Sequence, residues 1–197
     1  MQFDGGYVFN EFDAATYRLK TPTGNNFTVK VTGDAFTGNG KIKFAFRMKE
    51  TEKLSIKLRI PNWSKQTKVF VAGEEMTGVE ANSYLDIQRE FSNGDCIEIA
   101  LDNSFTVVKQ DGKTLLKKGA YVLARDERYQ DGFDDGVKVY VSRKGEVKAK
   151  KVQTNTFNCL GEFSVKTKDG KRITLCDYAS AGKNWDNPDN LRITAWI

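Results

Sequence analysis

The chain has 197 residues, a formal net charge of +5 at pH 7 and a hydrophobic content of 39%. This apolar content is enough to bury a core and the charged fraction of 29% is ordinary, which excludes a disordered chain. The 31 lysines and arginines are dispersed along the sequence, which argues against a nucleic-acid binder.

Alternation of apolar and polar residues, typical of strands with one buried face, runs along most of the chain. Helical spacing is scarcely present. The predicted strands cover residues 27–34, 41–48, 54–60, 68–73, 83–91, 96–101, 105–110, 120–126, 137–143, 163–168, 172–178 and 191–197. In LSIKLRI (54–60) the alternation places every leucine and isoleucine on one buried face. Pro61 is expected to end this strand because proline cannot donate a ladder hydrogen bond.

Short glycine-containing segments between the strands supply residues that tolerate positive φ in tight turns. They are Gly38-Asn39-Gly40, Asn93-Gly94-Asp95, Asp111-Gly112, Lys144-Gly145 and Asp169-Gly170. Many short strands at this spacing predict an all-β fold of two consecutive antiparallel β-sandwich (jelly-roll-like) domains. A change in composition over residues 102–119 predicts a boundary near residue 108, so the expected domains cover 1–108 and a smaller 109–197.

The most basic segment is KGEVKAKK (144–151), where lysines alternate with Val147 and Ala149. This pattern favours solvated lysines on an edge strand, which discourage pairing with other chains. No apolar run approaches the roughly 18 residues of a membrane span. The N-terminal MQFDGGYVFNEF lacks a signal-peptide pattern, which leaves a cytoplasmic protein or a mature or trimmed form as alternatives.

Histidine is absent from the sequence. Its absence excludes Ser-His-Asp and Cys-His nucleophiles, histidine general bases and most catalytic zinc geometries, since each needs an imidazole. The cysteines Cys96, Cys159 and Cys176 are odd in number and form no CxxC motif, so neither a disulfide framework nor a thiolate zinc site is indicated, although one pair could form a bridge.

Carboxylates remain as candidate catalytic groups, because glycoside hydrolysis can run on Asp and Glu alone. The adjacent pairs Glu74-Glu75 and Asp134-Asp135 are poor candidates, since neighbouring side chains of a strand point to opposite faces. The segment DERYQDGFDDG (126–136) holds five acidic residues and two glycines, so Asp131, Asp134 and Asp135 form a weak calcium candidate, against the alternative of an exposed loop.

Aromatic side chains in loops are candidate carbohydrate contacts, because sugar rings stack on them. Trp185, in the loop GKNWDNPDN, is the tryptophan most expected to be exposed. Trp63, which follows Pro61, and Tyr129 are further candidates. Trp63 and Trp196 are better interpreted as core residues.

The segments LRIPNW (58–63), KVFVAGEEM (68–76) and SYLDIQREFSNGDCIEIAL (83–101) together resemble a known module. It is the β-sandwich that follows the catalytic barrel in bacterial β-L-arabinofuranosidase-like glycoside hydrolases of family 127. The residues shared with that pattern are Leu58, Arg59, Ile60, Pro61, Trp63, Val71, Gly73, Tyr84, Ile87, Arg89, Gly94 and Asp95. The chain departs from it at Ala72, where the pattern has Asn, and at Phe91, where it has Trp.

The resemblance continues into the second half with lower specificity, in KKGAYVLARD and in the closing CDYASAGKNWDNPDNLRITAWI. In the family, the catalytic glutamate, the nucleophilic cysteine and the zinc-binding cysteines belong to an (α/α)6 barrel, so the resemblance carries no catalytic residue over to this chain. No cofactor is therefore expected, apart from the weak calcium candidate.

The resemblance implies a non-catalytic accessory region that gives structural support and holds carbohydrate. Its expected partners are an oligosaccharide or polysaccharide and a catalytic (α/α)6 barrel, with no nucleic acid, and its expected location is secreted, periplasmic or at the cell surface. The alternative function is a secreted or cell-surface β-sandwich protein that binds another protein, which predicts a large exposed apolar patch.

Overall fold

The computed structural model describes residues 1–33, 40–134, 136–182 and 191–197, and it confirms the all-β class. The strands are β1 (Gln2–Phe3), β2 (Gly6–Phe9), β3 (Ala15–Lys20), β4 (Asn26–Gly33), β5 (Lys41–Arg47), β6 (Glu52–Ile60), β7 (Lys68–Val71), β8 (Glu74–Glu75), β9 (Ser83–Phe91), β10 (Cys96–Ala100), β11 (Phe105–Gln110), β12 (Lys113–Lys118), β13 (Tyr121–Asp126), β14 (Ala149–Val152), β15 (Glu162–Lys166), β16 (Arg172–Asp177) and β17 (Ile193–Thr194). A 3-10 helix covers Glu127–Tyr129. Across the described ranges, no helix is long and apolar enough to span a membrane.

The chain divides into two compact units, Met1–Asn103 and Ser104–Ile197. In the first unit, one sheet has the order β1-β2-β6-β9 and the other has the order β3-β4-β5-β10-β7-β8. Apolar side chains from both sheets form a single core, which includes the fully buried Phe44 of β5 and Ile56 of β6. The shared core arises because period-2 alternation gives each strand one apolar face.

Strand β6 confirms the alternation expected for LSIKLRI. Its four leucine and isoleucine side chains, Leu54, Ile56, Leu58 and Ile60, are at most 1% exposed. The strand ends at Ile60, immediately before Pro61, as the missing proline N–H requires.

One strand pair of the first unit is parallel, so the prediction of purely antiparallel sheets was wrong at this point. Strand β2 runs parallel to β6, with Gly6 opposite Ser55 and Phe9 opposite Leu58. A parallel pair needs a long crossover connection. Here β3, β4 and β5 of the other sheet provide it.

The second unit contains one seven-stranded sheet, in which the order is β11-β12-β13-β16-β15-β14 and β17 pairs with β13. Its core includes Leu116, Leu123, Val165 and Leu175. The predicted Asp111-Gly112 turn joins β11 to β12, and both of its residues have positive φ, at 48° and 74°. Strand β14 overlaps the lysine-rich segment 144–151 and lies at the edge of the sheet, which confirms the edge strand expected there.

The strand predicted at 137–143 is wrong. Only isolated bridges occur there, between Val139 and Thr167 and between Val141 and Val147. After Val141 the chain makes a tight turn, in which Ser142 N–H donates to the Glu146 carbonyl at 2.8 Å. The segment therefore does not continue beside a neighbouring strand. Strands outside the predicted ranges are β1, β2, β3, β8 and β12.

Candidate functional site

The site residues predicted from the sequence lie in different parts of the chain. Tyr129, Asp131 and Asp134 follow β13 in the second unit. Trp63 belongs to the first unit, where it is half-buried and packs against the core, and Ser64 N–H closes the turn by donating to the Pro61 carbonyl at 3.2 Å. Trp185 and Asp135 lie outside the described residues.

A buried arginine organises the acidic segment after β13. Arg125 is 1% exposed, and its Nη1 donates to the Asp134 carbonyl at 2.8 Å. Its Nη2 donates to Asp131 Oδ1 and to the Gly132 carbonyl, both at 3.1 Å. The Phe133 ring centroid lies 4.6 Å from the guanidinium carbon. The acidic loop therefore folds around a cation that the protein itself supplies.

Protein donors already occupy the two described carboxylates of the calcium candidate. Asp131 Oδ2 accepts from Thr174 N–H at 2.7 Å, in addition to the bond between Oδ1 and Arg125. Asp134 is exposed and accepts from Gly136 N–H at 2.8 Å. Over the described ranges, no group of three or more His, Cys, Asp or Glu side chains is arranged to hold a metal ion. Calcium at Asp131, Asp134 and Asp135 therefore stays a prediction.

A second buried ion pair lies at the end of β13. Asp126 caps the 3-10 helix by accepting from Arg128 N–H at 3.0 Å, and its carboxylate also accepts from Arg128 Nε at 2.8 Å and from Gly182 N–H at 2.8 Å. The Arg128 guanidinium carbon lies 3.6 Å from the Phe157 ring centroid, which is a cation–π contact. These contacts hold Phe157 beside Tyr129, with the ring centroids 5.0 Å apart.

A polar pocket of about 550 Å³ adjoins this aromatic pair, and we call it the Glu162 pocket. Its polar and aromatic lining includes Gln153, Asn155, Phe157, Asn158 and Glu162. The Glu162 carboxylate accepts from Tyr129 Oη at 2.8 Å and from Thr154 N–H and Oγ1, both at 2.6 Å. The pocket combines amide groups with one aromatic ring, a set that can hydrogen-bond and pack a small polar ligand.

The buried carboxylates of Asp126 and Glu162 are held in the ionised form. Burial opposes ionisation of Asp126, but hydrogen bonds from Arg128 and Gly182 outweigh it and lower its pKa. Burial likewise opposes ionisation of Glu162, whereas hydrogen bonds from Thr154 and Tyr129 bring its pKa below the ordinary value. A general acid must hold its proton near neutral pH, so neither carboxyl group is suited to that role.

Acid is expected to destabilise the second unit through these two groups. Their folded pKa values lie below the unfolded values of about 3.9 for Asp and about 4.3 for Glu. The stability that they contribute is therefore complete above the unfolded values and is lost as the pH falls through the folded pKa. In urea unfolding at about pH 7 and about pH 3, Asp126→Asn and Glu162→Gln should lose less stability to acid than the parent chain. The exposed Glu146→Gln is the control, and equal acid sensitivity in all four proteins would contradict the assignment.

The cysteines of the second unit are poor nucleophiles. Burial, with added repulsion from Asp126 and Asp177, raises the pKa of Cys176 to about 12. Burial, followed by the charges of Glu162 and Asp177, raises the pKa of Cys159 to about 11. Both thiols are free and protonated at neutral pH, whereas nucleophilic chemistry requires the thiolate.

Sequence reasoning missed the groups that organise this region, namely Arg125, Asp126 and Glu162. Two of them end the segment AYVLARD, where an arginine and an aspartate follow five apolar residues and look like the polar end of a strand. Their signal was the spacing of opposite charges in R-D-E-R. Such spacing is also common on exposed surfaces.

Solved structures of glycoside hydrolases share this fold. One glycoside hydrolase is 17% identical, with a TM-score of 0.78. The match covers 98% of this chain and 36% of that enzyme's chain. Ara127N, a GH127 β-L-arabinofuranosidase from Geobacillus stearothermophilus T6, is 14% identical, with a TM-score of 0.77 and coverages of 100% and 34%. A GH127 β-arabinofuranosidase is 18% identical, with a TM-score of 0.76 and coverages of 98% and 35%.

The match to a family model lies in the first unit. Residues 8–103 match the family model described as the β-L-arabinofuranosidase GH127 middle domain. The chain spans about a third of the length of the solved enzymes that it matches, and it corresponds to their β region outside the catalytic barrel. The barrel itself is not matched. No curated protein matches the sequence.

Proposed function

We propose that this chain is a non-catalytic accessory region of a GH127-type protein, in which two β domains support a catalytic domain and hold carbohydrate. The match of residues 8–103 to the GH127 middle domain carries the proposal. The proposed domains are the two compact units, and in the proposal the first is a β-sandwich, since its two sheets enclose one core. Export from the cell belongs to the same proposal, since it rests on the resemblance to sugar-degrading enzymes.

The chemistry of the buried polar groups in the second unit supports a non-catalytic role. Asp126 and Glu162 have lowered pKa values, and their carboxylate oxygens already accept hydrogen bonds from protein donors. Retaining and inverting glycosidases instead need one carboxyl group that holds a proton beside one that stays free. The thiols of Cys159 and Cys176 are protonated at neutral pH.

The Glu162 pocket is the proposed contact for neutral carbohydrate. The Phe157 ring is half-buried at its wall, and the Gln153, Asn155 and Asn158 side chains are exposed there. Amide groups supply both donors and acceptors for sugar hydroxyls, and an aromatic ring packs on the apolar face of a pyranose or furanose. Tyr129 contributes indirectly, because it packs on Phe157 and fixes the Glu162 carboxylate.

Calorimetric titration with neutral arabinose-containing oligosaccharides tests this proposal. Saturable binding is expected, and Phe157→Ala should weaken it about three- to tenfold, because an aromatic contact of this kind contributes about 0.5–1.5 kcal/mol. Tyr178→Ala removes another exposed aromatic side chain of the same unit and should leave the affinity unchanged. Absence of binding across the panel would contradict the carbohydrate role.

A further inference from the structure

We propose that the first unit binds an acidic oligosaccharide, one whose sugars bear carboxylates, in a second site beside β3, β4 and β5. The site is a groove of about 790 Å³, within the range of roughly 300–1,000 Å³ that is usual for ligand sites. We call it the basic groove, after its rim of Arg18, Lys20, Arg47 and Lys49. The choice of a sugar as ligand rests on the proposed function, whereas the choice of an anion rests on the groove alone.

The charge of the basic groove is uncompensated. Its described lining contains no Asp or Glu, and no ion pair joins any of its four rim cations to another described residue. The lysines farther across the same sheet differ, since Lys43 pairs with Glu98 at 2.9 Å and Lys68 pairs with Glu75 at 3.0 Å. Four cations without a described ion pair therefore line one groove, and their combined positive charge favours an anionic ligand.

The strand register places two arginines on one face of the sheet, with a single strand between them. Arg18 of β3 lies opposite Thr28 of β4, and Thr28 lies opposite Arg47 of β5. The two exposed arginines thus stand two strands apart on the outer face, with Cα atoms roughly 10 Å from each other. The short Thr28 side chain between them leaves room for a carboxylate to accept paired hydrogen bonds from a guanidinium group. Lys20, two residues along β3, extends the same face.

The remaining lining fits a sugar better than a nucleic acid. Amide side chains of Gln2, Asn26 and Asn93 line the groove and match sugar hydroxyls in hydrogen-bonding capacity. Single-stranded nucleic acids bind chiefly by stacking bases on exposed aromatic rings. The aromatic rings here, Tyr7 and Phe27, are only 8% and 3% exposed, so they offer no stacking face.

A matched ligand pair and a matched variant pair test the proposal with the full chain. Trigalacturonate bears carboxylates, whereas galactotriose is neutral. Calorimetric titration with both therefore isolates the contribution of the carboxylates to the affinity. The groove variant Arg18→Gln/Arg47→Gln is compared with Arg59→Gln/Arg143→Gln, which removes the same charge from exposed positions outside the groove. A single-stranded oligonucleotide of similar charge is the third ligand.

Trigalacturonate is expected to bind at least about tenfold more tightly than galactotriose, more weakly as salt rises, and about tenfold more weakly to the groove variant. The control variant should lose less than about threefold. Equal losses in both variants, equal affinities for the two trisaccharides, or tighter binding of the oligonucleotide would overturn the proposal. Neutral arabinose-containing ligands and Phe157→Ala report separately on the Glu162 pocket, so failure here is distinguishable from failure of the proposed function.

Discussion

Replacement of Arg125 by methionine is expected to lower the free energy of unfolding of the second unit by about 3–5 kcal/mol, as when one partner of a buried ion pair is removed. The methionine side chain fills much of the volume of the arginine but donates no hydrogen bond. Asp131 Oδ1 and the carbonyls of Gly132 and Asp134 then lose their donors in a region where Arg125 is 1% exposed. Leaving such acceptors unsatisfied costs more than the original bonds gain over water.

Urea unfolding, with the amide signals of β13 and β16 followed by NMR, measures this effect in the second unit. Arg172→Met is the matched control, because Arg172 is exposed on the same sheet and should cost less than about 1 kcal/mol. The double variant Arg125→Met/Asp131→Asn should recover part of the loss, since both ionised partners are then removed. A loss below about 1 kcal/mol for Arg125→Met would show that the loop does not depend on this cation.

Substitution of Gly6 by alanine is expected to destabilise the first unit by about 3 kcal/mol or more. A Cβ at Gly6 would overlap the backbone carbonyl oxygen of Ser55, its partner on β6. Backbone cannot swing aside as a side chain can, so β2 must separate from β6. Tyr7 and Phe9 would then leave the core, and losing an aromatic core side chain alone costs about 3–5 kcal/mol.

The neighbouring Gly5 provides the control for this substitution. Gly5 has a φ of 84°, but a Cβ there would meet no atom within 4 Å. Gly5→Ala should therefore cost only the strain of a left-handed residue, about 1–2 kcal/mol. Thermal and urea unfolding of the two variants separate close packing from backbone strain, and equal losses would contradict the close approach of β2 and β6.

The strands with one apolar face and one polar face were predictable from the sequence. In β6 the apolar residues alternate with Lys57, Arg59 and other polar side chains, and the inward face is fully buried. The first three strands were not predicted. Strand β3 alternates over six residues, so its signal was present in the sequence and was overlooked. Strand β2 is nearly all buried, so it lacks alternation, and β1 has only two residues. Short or doubly buried strands carry little periodic signal.

The polar cluster of the second unit was only partly predictable. The sequence indicated that Asp131 and Asp134 lie in one acidic loop. The cation expected there was a calcium ion from solution, whereas the structure has the Arg125 guanidinium group of β13. Leu123 and Ala124 are both fully buried, so alternation along β13 could not reveal which face Arg125 takes. Glu162 reaches Tyr129 through a contact between residues 33 positions apart, which no local pattern indicates.

Hydrolysis by the purified chain tests the central claim, a non-catalytic GH127 accessory region, most directly. The chain is incubated with p-nitrophenyl arabinofuranosides beside a complete GH127 enzyme as positive control. No release of p-nitrophenol above the buffer rate is expected at any chain concentration, while the control enzyme turns over. Release that rises in proportion to the chain concentration and falls in Glu162→Gln would contradict it.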